Sequence, residues 1–302
     1  LGDIPDGESV AVTIGTPAGD VIRTLSTQPD QEVSPGASAL LVHTGHNRIV
    51  WNLRHENIPN IPGAYVFGSL QGRRVIPGDY VVELSVGDWR MEEVLTVRKD
   101  PRVETTLQEY VEQDQFVAQV AAELSAIHRT VSRNNDVREQ IETFLERAGD
   151  EVGTGPVAEE GENLAQELEN VADSLYQRRV VDGQTVINFP SRLKFQYVFL
   201  HGNADGAETG VSMGSREVLS DLRARWTVHR ATSDELLGPR LDAFNRMIQE
   251  AGFSIIIAPH NFSSIFKGAP IKLISEEVIL SEEENRNKLN LLLESLTNVF
   301  FV

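Results

Sequence analysis

The stretch 47–98, NRIVWNLRHENIPNIPGAYVFGSLQGRRVIPGDYVVELSVGDWRMEEVLTVR, decides the reading of the fold. Ile49, Trp51 and Leu53 alternate with Arg48, Val50 and Asn52, the period of a strand with one buried face. Pro77-Gly78-Asp79 reads as a turn, because proline presets φ and glycine supplies conformational freedom. Tyr80, Val82, Leu84 and Val86 then alternate with Val81, Glu83 and Ser85. Gly87-Asp88 closes a hairpin onto Met91, Val94, Leu95 and Val97. Nothing in the stretch offers a nucleophile, a metal cluster or a phosphate loop, so it reads as scaffold.

Upstream, residues 9–15 read as a strand that Thr16-Pro17-Ala18-Gly19 turns back onto a partner at 21–25. Residues 26–46 are rich in Ser, Pro, Gly and Gln and read as a loop with one short strand at 39–42. With strands near 48–53, 65–68, 79–86 and 90–97, about six or seven short strands fall in about a hundred residues. That spacing points to an antiparallel, immunoglobulin-like β-sandwich over 1–100.

At Asp100-Pro101-Arg102 the period changes from two to three and four. Thr105 or Thr106 can cap a helix, and Glu109 lies three residues after Thr106, as a capping box needs. Leu107, Tyr110/Val111, Val117, Val120/Ala121, Leu124, Ile127 and Val131 predict one long amphipathic helix, with a break at Asn134-Asn135 before Val137, Ile141 and Phe144. An acidic, glycine-rich connection over 149–162 precedes a second helix carrying Leu164, Leu168, Val171 and Leu175. Further helical segments are expected over 193–200, around Leu219 and Trp226, and from Leu237 to Ile248, with 201–215 as a loop. The whole predicts an α+β protein, the sandwich followed by an antiparallel helical bundle over 101–252. Residues 253–302 join neither by any pattern and read as a packing extension, a homo-oligomerisation element, or vector- or frame-derived sequence.

The chain has 302 residues, 40% of them hydrophobic and 24% charged, as in ordinary globular proteins. Its net charge of −18 argues against nucleic acid as a partner, since phosphate neutralisation needs clustered Lys and Arg. With no cysteine there is no disulfide, thiolate metal site or Cys nucleophile. No apolar run has the length of a membrane span. The first residue is Leu rather than Met, which places residue 1 inside a longer precursor or at an unusual start.

NRIVWNLR at 47–54, RRVIPGDYVVELSVGDWRMEEVLTVRKDPRV at 73–103, the long helix and LYQRRVVDGQTVINFPSRL at 175–193 follow one another in an order that resembles a bacterial family. The family comprises large secreted proteins with an Asp-box, sortilin-like β-propeller, labelled glycosyl hydrolases. The resemblance spans roughly 8–250 and is to their C-terminal part. It implies a flagellar-hook-cap-like immunoglobulin domain followed by a helical bundle, and it implies secretion. The family's S-x-D-x-G-x-x-W propeller repeat is missing here; Ser85-Val86-Gly87-Asp88-Trp89 has the wrong spacing. No catalytic residue is therefore carried over.

The sharpest chemical motif is Gly210-Val211-Ser212-Met213-Gly214, which fits G-x-S-x-G, and a triad in chain order would be Ser212, Asp234 or Asp242, and His260. The sequence ahead of it is loop-like, so the strand such a turn needs is not predicted, and a serine N-cap is the simpler reading. Asn203, Asp205 and Glu208 around Gly206 faintly resemble an oxygen-ligand loop for Ca²⁺, without the spacing of an EF-hand. His43, His46 and His55 cluster in sequence with no metal-binding spacing. Trp51, Tyr65, Phe67, Tyr80 and Trp89 could stack on sugar rings; Trp51 reads as core, while Tyr65, Phe67 and Trp89 are candidates to contact a ligand. The expectation is a non-catalytic accessory or interaction module of a secreted, carbohydrate-associated protein, docking a carbohydrate or a partner domain. The alternative is a small serine- or metal-dependent hydrolase of esters or lactones.

Overall fold

The computed structural model describes residues 8–29, 39–152, 155–179, 188–206 and 208–253. The expected short strand at 39–42 is irregular, and the extension from 254 onward, including His260, lies outside the described residues. The fold is α+β: a four-stranded antiparallel sheet at the N-terminal end, then a helical bundle.

Strand β1 (Val10–Gly15) and β2 (Val21–Ser26) form the first expected hairpin, with Gly19 at φ 96° in its turn. Strands β3 (Gly78–Val86) and β4 (Trp89–Val97) form the second, and Gly87 takes φ 55° in the two-residue loop. Pro77 ends the preceding loop, and Gly78 already pairs with Val97. The order is β2-β1-β3-β4, which sets β1 in the centre and leaves β4 as an edge. Alternation works as read: Val10, Val12 and Ile14 are buried along β1. Val12, Ile14, Ile22 and Tyr80 make a small core, with Leu84 and Val97 packed against it.

Two of the expected strands are not strands. Ile49 and Trp51 do pack on the sheet, Trp51 meeting Tyr80 edge-to-face at 5.8 Å, yet the chain at 48–53 is irregular. The alternation ends at Leu53, which is exposed and holds φ 56°, a left-handed conformation that breaks strand geometry. From there the chain folds back loosely on itself. Val75 N–H donates to Leu53 O (2.9 Å), His55 N–H to Arg73 O (3.0 Å) and Ile58 N–H to Leu70 O (2.8 Å). Residues 65–68 are irregular as well, since Pro62-Gly63 makes a turn in which Ala64 N–H donates to Ile61 O (3.0 Å) with Gly63 at φ 68°. Among the described residues there is thus one sheet, and an irregular segment covers its face. Glu56 N–H donates to Ile22 O (3.0 Å), so the same segment also shields the outer edge of β2.

Helix α1 (Leu107–Val152) starts at the predicted capping box: Thr106 N–H donates to Glu109 Oε2 (2.7 Å), and Glu109 N–H donates to Thr106 Oγ1 (3.3 Å). No break occurs at Asn134. It is fully buried, and its Oδ1 accepts from Ser233 Oγ at 2.7 Å, so a polar pair replaces the expected interruption. The non-helical residue is Gly149. Helix α2 (Pro156–Leu175) starts inside the stretch expected to be a connection, with Pro156 at its first turn where a missing N–H costs nothing. Helix α3 (Leu193–Gly206) runs six residues past the expected end. Helix α4 (Met213–Glu235) passes through a π-turn at Leu236–Arg240 into α5 (Leu241–Glu250).

Side-chain contacts give the directions. Asn135 reaches Tyr176 (3.5 Å), and Leu145 lies at Gly161, so α2 runs antiparallel along the second half of α1. Tyr197 OH donates to Glu123 Oε2 (2.7 Å) and Gln113 Nε2 to Ala204 O (2.5 Å), so α3 runs antiparallel along the first half. Arg216 to Glu112, Arg223 to Glu123 and Ser233 to Asn134 make α4 parallel to α1, and Phe244 continues that line to Phe144 at 6.2 Å. The bundle is three rods: α1, then α2 and α3 end to end, then α4 and α5. Between Leu175 and Leu193 the middle rod is interrupted, among the described residues, at 176–179 and 189–192.

Candidate functional site

The break in the middle rod makes a cleft. Tyr176, Gln177, residues 189–192, Lys194 and Phe195 line one side, and the loop Tyr65-Val66-Phe67 closes the other. The loop is seated by Gly68, at φ 110°, where an added Cβ would lie 2.9 Å from Val198 on α3. Only glycine tolerates both that conformation and that approach. Phe67 is thereby set against Phe195 (5.9 Å between rings), and Phe195 stacks on Phe199 (6.4 Å, 25° between planes). Phe67 and Phe199 are 49% and 62% exposed, which leaves a row of aromatic faces open to solvent.

Two cations stand in this cleft. Lys194 is 5% exposed, and its Nζ donates to Asn60 Oδ1 (2.7 Å) and Tyr65 O (3.4 Å). Asn60 is held in turn by donating Nδ2–H to Ala64 O (2.8 Å) across the Pro62-Gly63 turn. Burial lowers the Lys194 pKa from its ordinary value to about 8. The Nε of Arg192 is buried with no acceptor. Beneath them His128, 3% exposed, donates Nδ1–H to Pro59 O (2.5 Å) and keeps Nε2 unpartnered. Burial first, then the positive charge of Lys194, holds its pKa at about 4, with Arg129 adding to the same side.

That histidine makes a pH prediction. Its native pKa lies below the ordinary 6.5, so the unfolded chain binds more protons between those values, and stability falls as pH drops through that window. The contribution is complete above pH 6.5. Unfolding free energy is expected to be lower by about 2 kcal/mol at pH 5 than at pH 7.5 from this group. Urea melts of the wild type and of His128→Gln at both pH values measure it: the variant should show a visibly shallower pH dependence.

The residues singled out in the sequence fall in several places. Asn203 and Asp205 lie on α3 rather than in a loop; Asn203 is exposed, and the partners of Asp205 are arginines. Asp205 accepts from Arg54 Nη1 and, at 2.9 Å, from the Arg74 backbone N–H. Glu208 Oε2 accepts from Tyr110 OH (2.5 Å), and Glu208 Oε1 lies 3.5 Å from Arg74 Nη1. Burial, then the bond to Glu208, pushes Tyr110 up to about 12. Arg73 Nε donates to Asp114 Oδ1 (2.6 Å). The candidate Ca²⁺ carboxylates therefore serve as a clamp between the 54–75 segment and the bundle. Among the described residues no three His, Asp or Glu side chains form a metal-holding group.

Ser212 is the N-cap of α4. Its Oγ accepts from Ser215 N–H (3.0 Å) and shares a bond with Ser215 Oγ (2.9 Å). The motif is preceded by α3 and a turn, not by a strand. Asp234 pairs along α4 with Arg230 (3.7 Å), and Asp242 is exposed in the first turn of α5. His43 bonds to Asn47 Oδ1 (2.8 Å) on an exposed loop, apart from His55. His55 is held at a pKa of about 4, by burial first and then by Arg73. Trp89 is exposed on β4.

Of the ligand-contact candidates, Tyr65 and Phe67 meet in the cleft. Phe189, Arg192, Lys194 and Phe195 were not singled out. Their only local signal is the aromatic and basic content flanking Asn188-Phe189-Pro190, which reads as a helix break. Among the described residues no helix is long and apolar enough to cross a membrane. Set against protein-family models, curated proteins and solved structures, the chain finds no match in any of the three comparisons.

Proposed function

We propose that this chain is a non-catalytic carbohydrate-engaging module of a secreted, glycosyl-hydrolase-like protein. The observation that carries the reading is the open aromatic row Phe67–Phe195–Phe199 beside the cleft at the broken rod. Flat aromatic faces take the C–H face of a sugar ring, and polar groups at the rim (Gln177, Ser191, Arg192) orient its hydroxyls. The sheet then serves as scaffold, one layer of an immunoglobulin-like fold. That reading draws support from its antiparallel order and from Trp51 packed on Tyr80. Secretion and attachment to a β-propeller rest on the resemblance of 47–54, 73–103 and 175–193.

The test is a glycan array probed with the full chain, followed by calorimetry on the hits. Phe67→Ala combined with Phe195→Ala is expected to weaken binding about ten- to a hundredfold, from the loss of two aromatic contacts. Retained affinity in that double variant, or an array with no hits, refutes the reading.

A further inference from the structure

We infer that the ligand of this cleft is anionic: a saccharide whose hexuronate carboxylate sits against Arg192 and Lys194 while its ring lies on Phe67 and Phe195. The inference rests on the carbohydrate reading and adds the ligand's charge. The chain carries a net charge of −18, yet the cleft wall has no Asp or Glu among its described residues. Lys194 is buried against neutral oxygens only, the Asn60 amide and the Tyr65 carbonyl. A buried ammonium without a counter-ion is destabilising, and a helix packed on an apolar core is better served there by Leu or Met. Local rules are broken in this way mainly at functional sites.

Arg192 supplies a second, independent observation, a buried Nε–H with no acceptor beside the same cleft. A guanidinium presents donors in a plane that matches the two oxygens of a carboxylate. The cleft continues into a wider trough that shares Tyr176, Gln177, Phe189 and Arg192 and adds Asp173, Arg178 and Arg179. Arg178 is already committed to Glu169 and Asp173, both at 2.5 Å. With Arg178 and Asp173 paired, Arg179 is the cation that the trough adds beyond the cleft. The structural account of Lys194, a tie between the 60–65 loop and α3, explains its two bonds but neither its charge nor the orphaned Arg192 donor.

The experiment is calorimetric titration of the full chain with oligogalacturonate, oligoguluronate and oligoglucuronate, each as the free acid and as the methyl ester, beside neutral cello-oligosaccharides. At least one acid form should bind, and its ester should bind about tenfold more weakly or worse, the loss of a charge-assisted contact. Arg192→Gln and Lys194→Met should each bring the acid form's affinity down towards that of the ester, narrowing the gap between the two. Lys194→Met should also melt at a higher temperature, which separates lost recognition from lost folding. Esters or neutral sugars binding as tightly as acids, with both variants unaffected, overturns the anionic ligand and leaves the carbohydrate reading standing. Binding of no saccharide of any kind, with the wild type folded, removes both.

Discussion

Asp205→Ala is expected to lower unfolding free energy by about 3–5 kcal/mol, the penalty for leaving a buried charge without its partner. Arg54 and Asp205 are both largely buried, and Arg54 Nη1 also donates to Gly72 O at 2.7 Å, which holds it in the segment. The Arg74 backbone N–H loses its acceptor in the same variant. In a thermal melt this is a fall of about 6–15 °C. Asp205→Asn keeps an acceptor for that N–H and should lose less. The pairing itself is isolated by adding Arg54→Leu to an Asp205→Leu background: once both charges are gone, much of the loss should be recovered. A double variant no more stable than Asp205→Leu alone would show that the ion pair is not what the clamp depends on.

Gly72→Ala is the second large effect. A Cβ there would stand 2.2 Å from His55 O and 2.3 Å from Glu56 O, distances no methyl group can occupy against backbone. Neither strand of the crossing is free to yield. His55 N–H is bonded to Arg73 O (3.0 Å), and Glu56 N–H to Ile22 O (3.0 Å). Overpacking of this kind costs about 3 kcal/mol, and here the displaced backbone includes the Gly72 carbonyl that holds Arg54. Because both substitutions act on one clamp, Gly72→Ala and Asp205→Ala together should destabilise by less than the sum of their separate effects, measured by urea unfolding. Strict additivity would mean that the crossing and the ion pair are independent.

The two hairpins and the α1 capping box were legible because each is decided within a few residues: Gly19 and Gly87 in their turns, Thr106 three positions from Glu109. The long reach of α3 was not. Gly202-Asn203-Ala204-Asp205-Gly206 has the composition of a loop, and it is helical because Ala204 and Asp205 are buried against partners far away in sequence. Asn134 misled in the same manner, since only Ser233, on another rod, makes a buried asparagine acceptable in a helix. The alternation through Ile49 and Trp51 correctly placed both on the sheet but did not foretell the left-handed turn at Leu53. The cleft was half legible: Tyr65 and Phe67 stood out as aromatics among turn residues. Its cations come from a segment whose local signal says only that a helix is interrupted, and the cleft that the interruption opens is visible only once α2 and α3 lie end to end on α1.

That arrangement also sets an order of events during synthesis. Every rod lies against α1, yet α4 begins about 60 residues after α1 is finished, which at 5–20 residues per second is roughly 3–12 s of translation. For that interval the nascent helix presents Val120, Leu124, Ile127 and Val131 with only part of their eventual cover. A chain built on one early spine and late partners is exposed to off-pathway association at the ribosome, and slowing translation between α2 and α4 would lengthen that exposure.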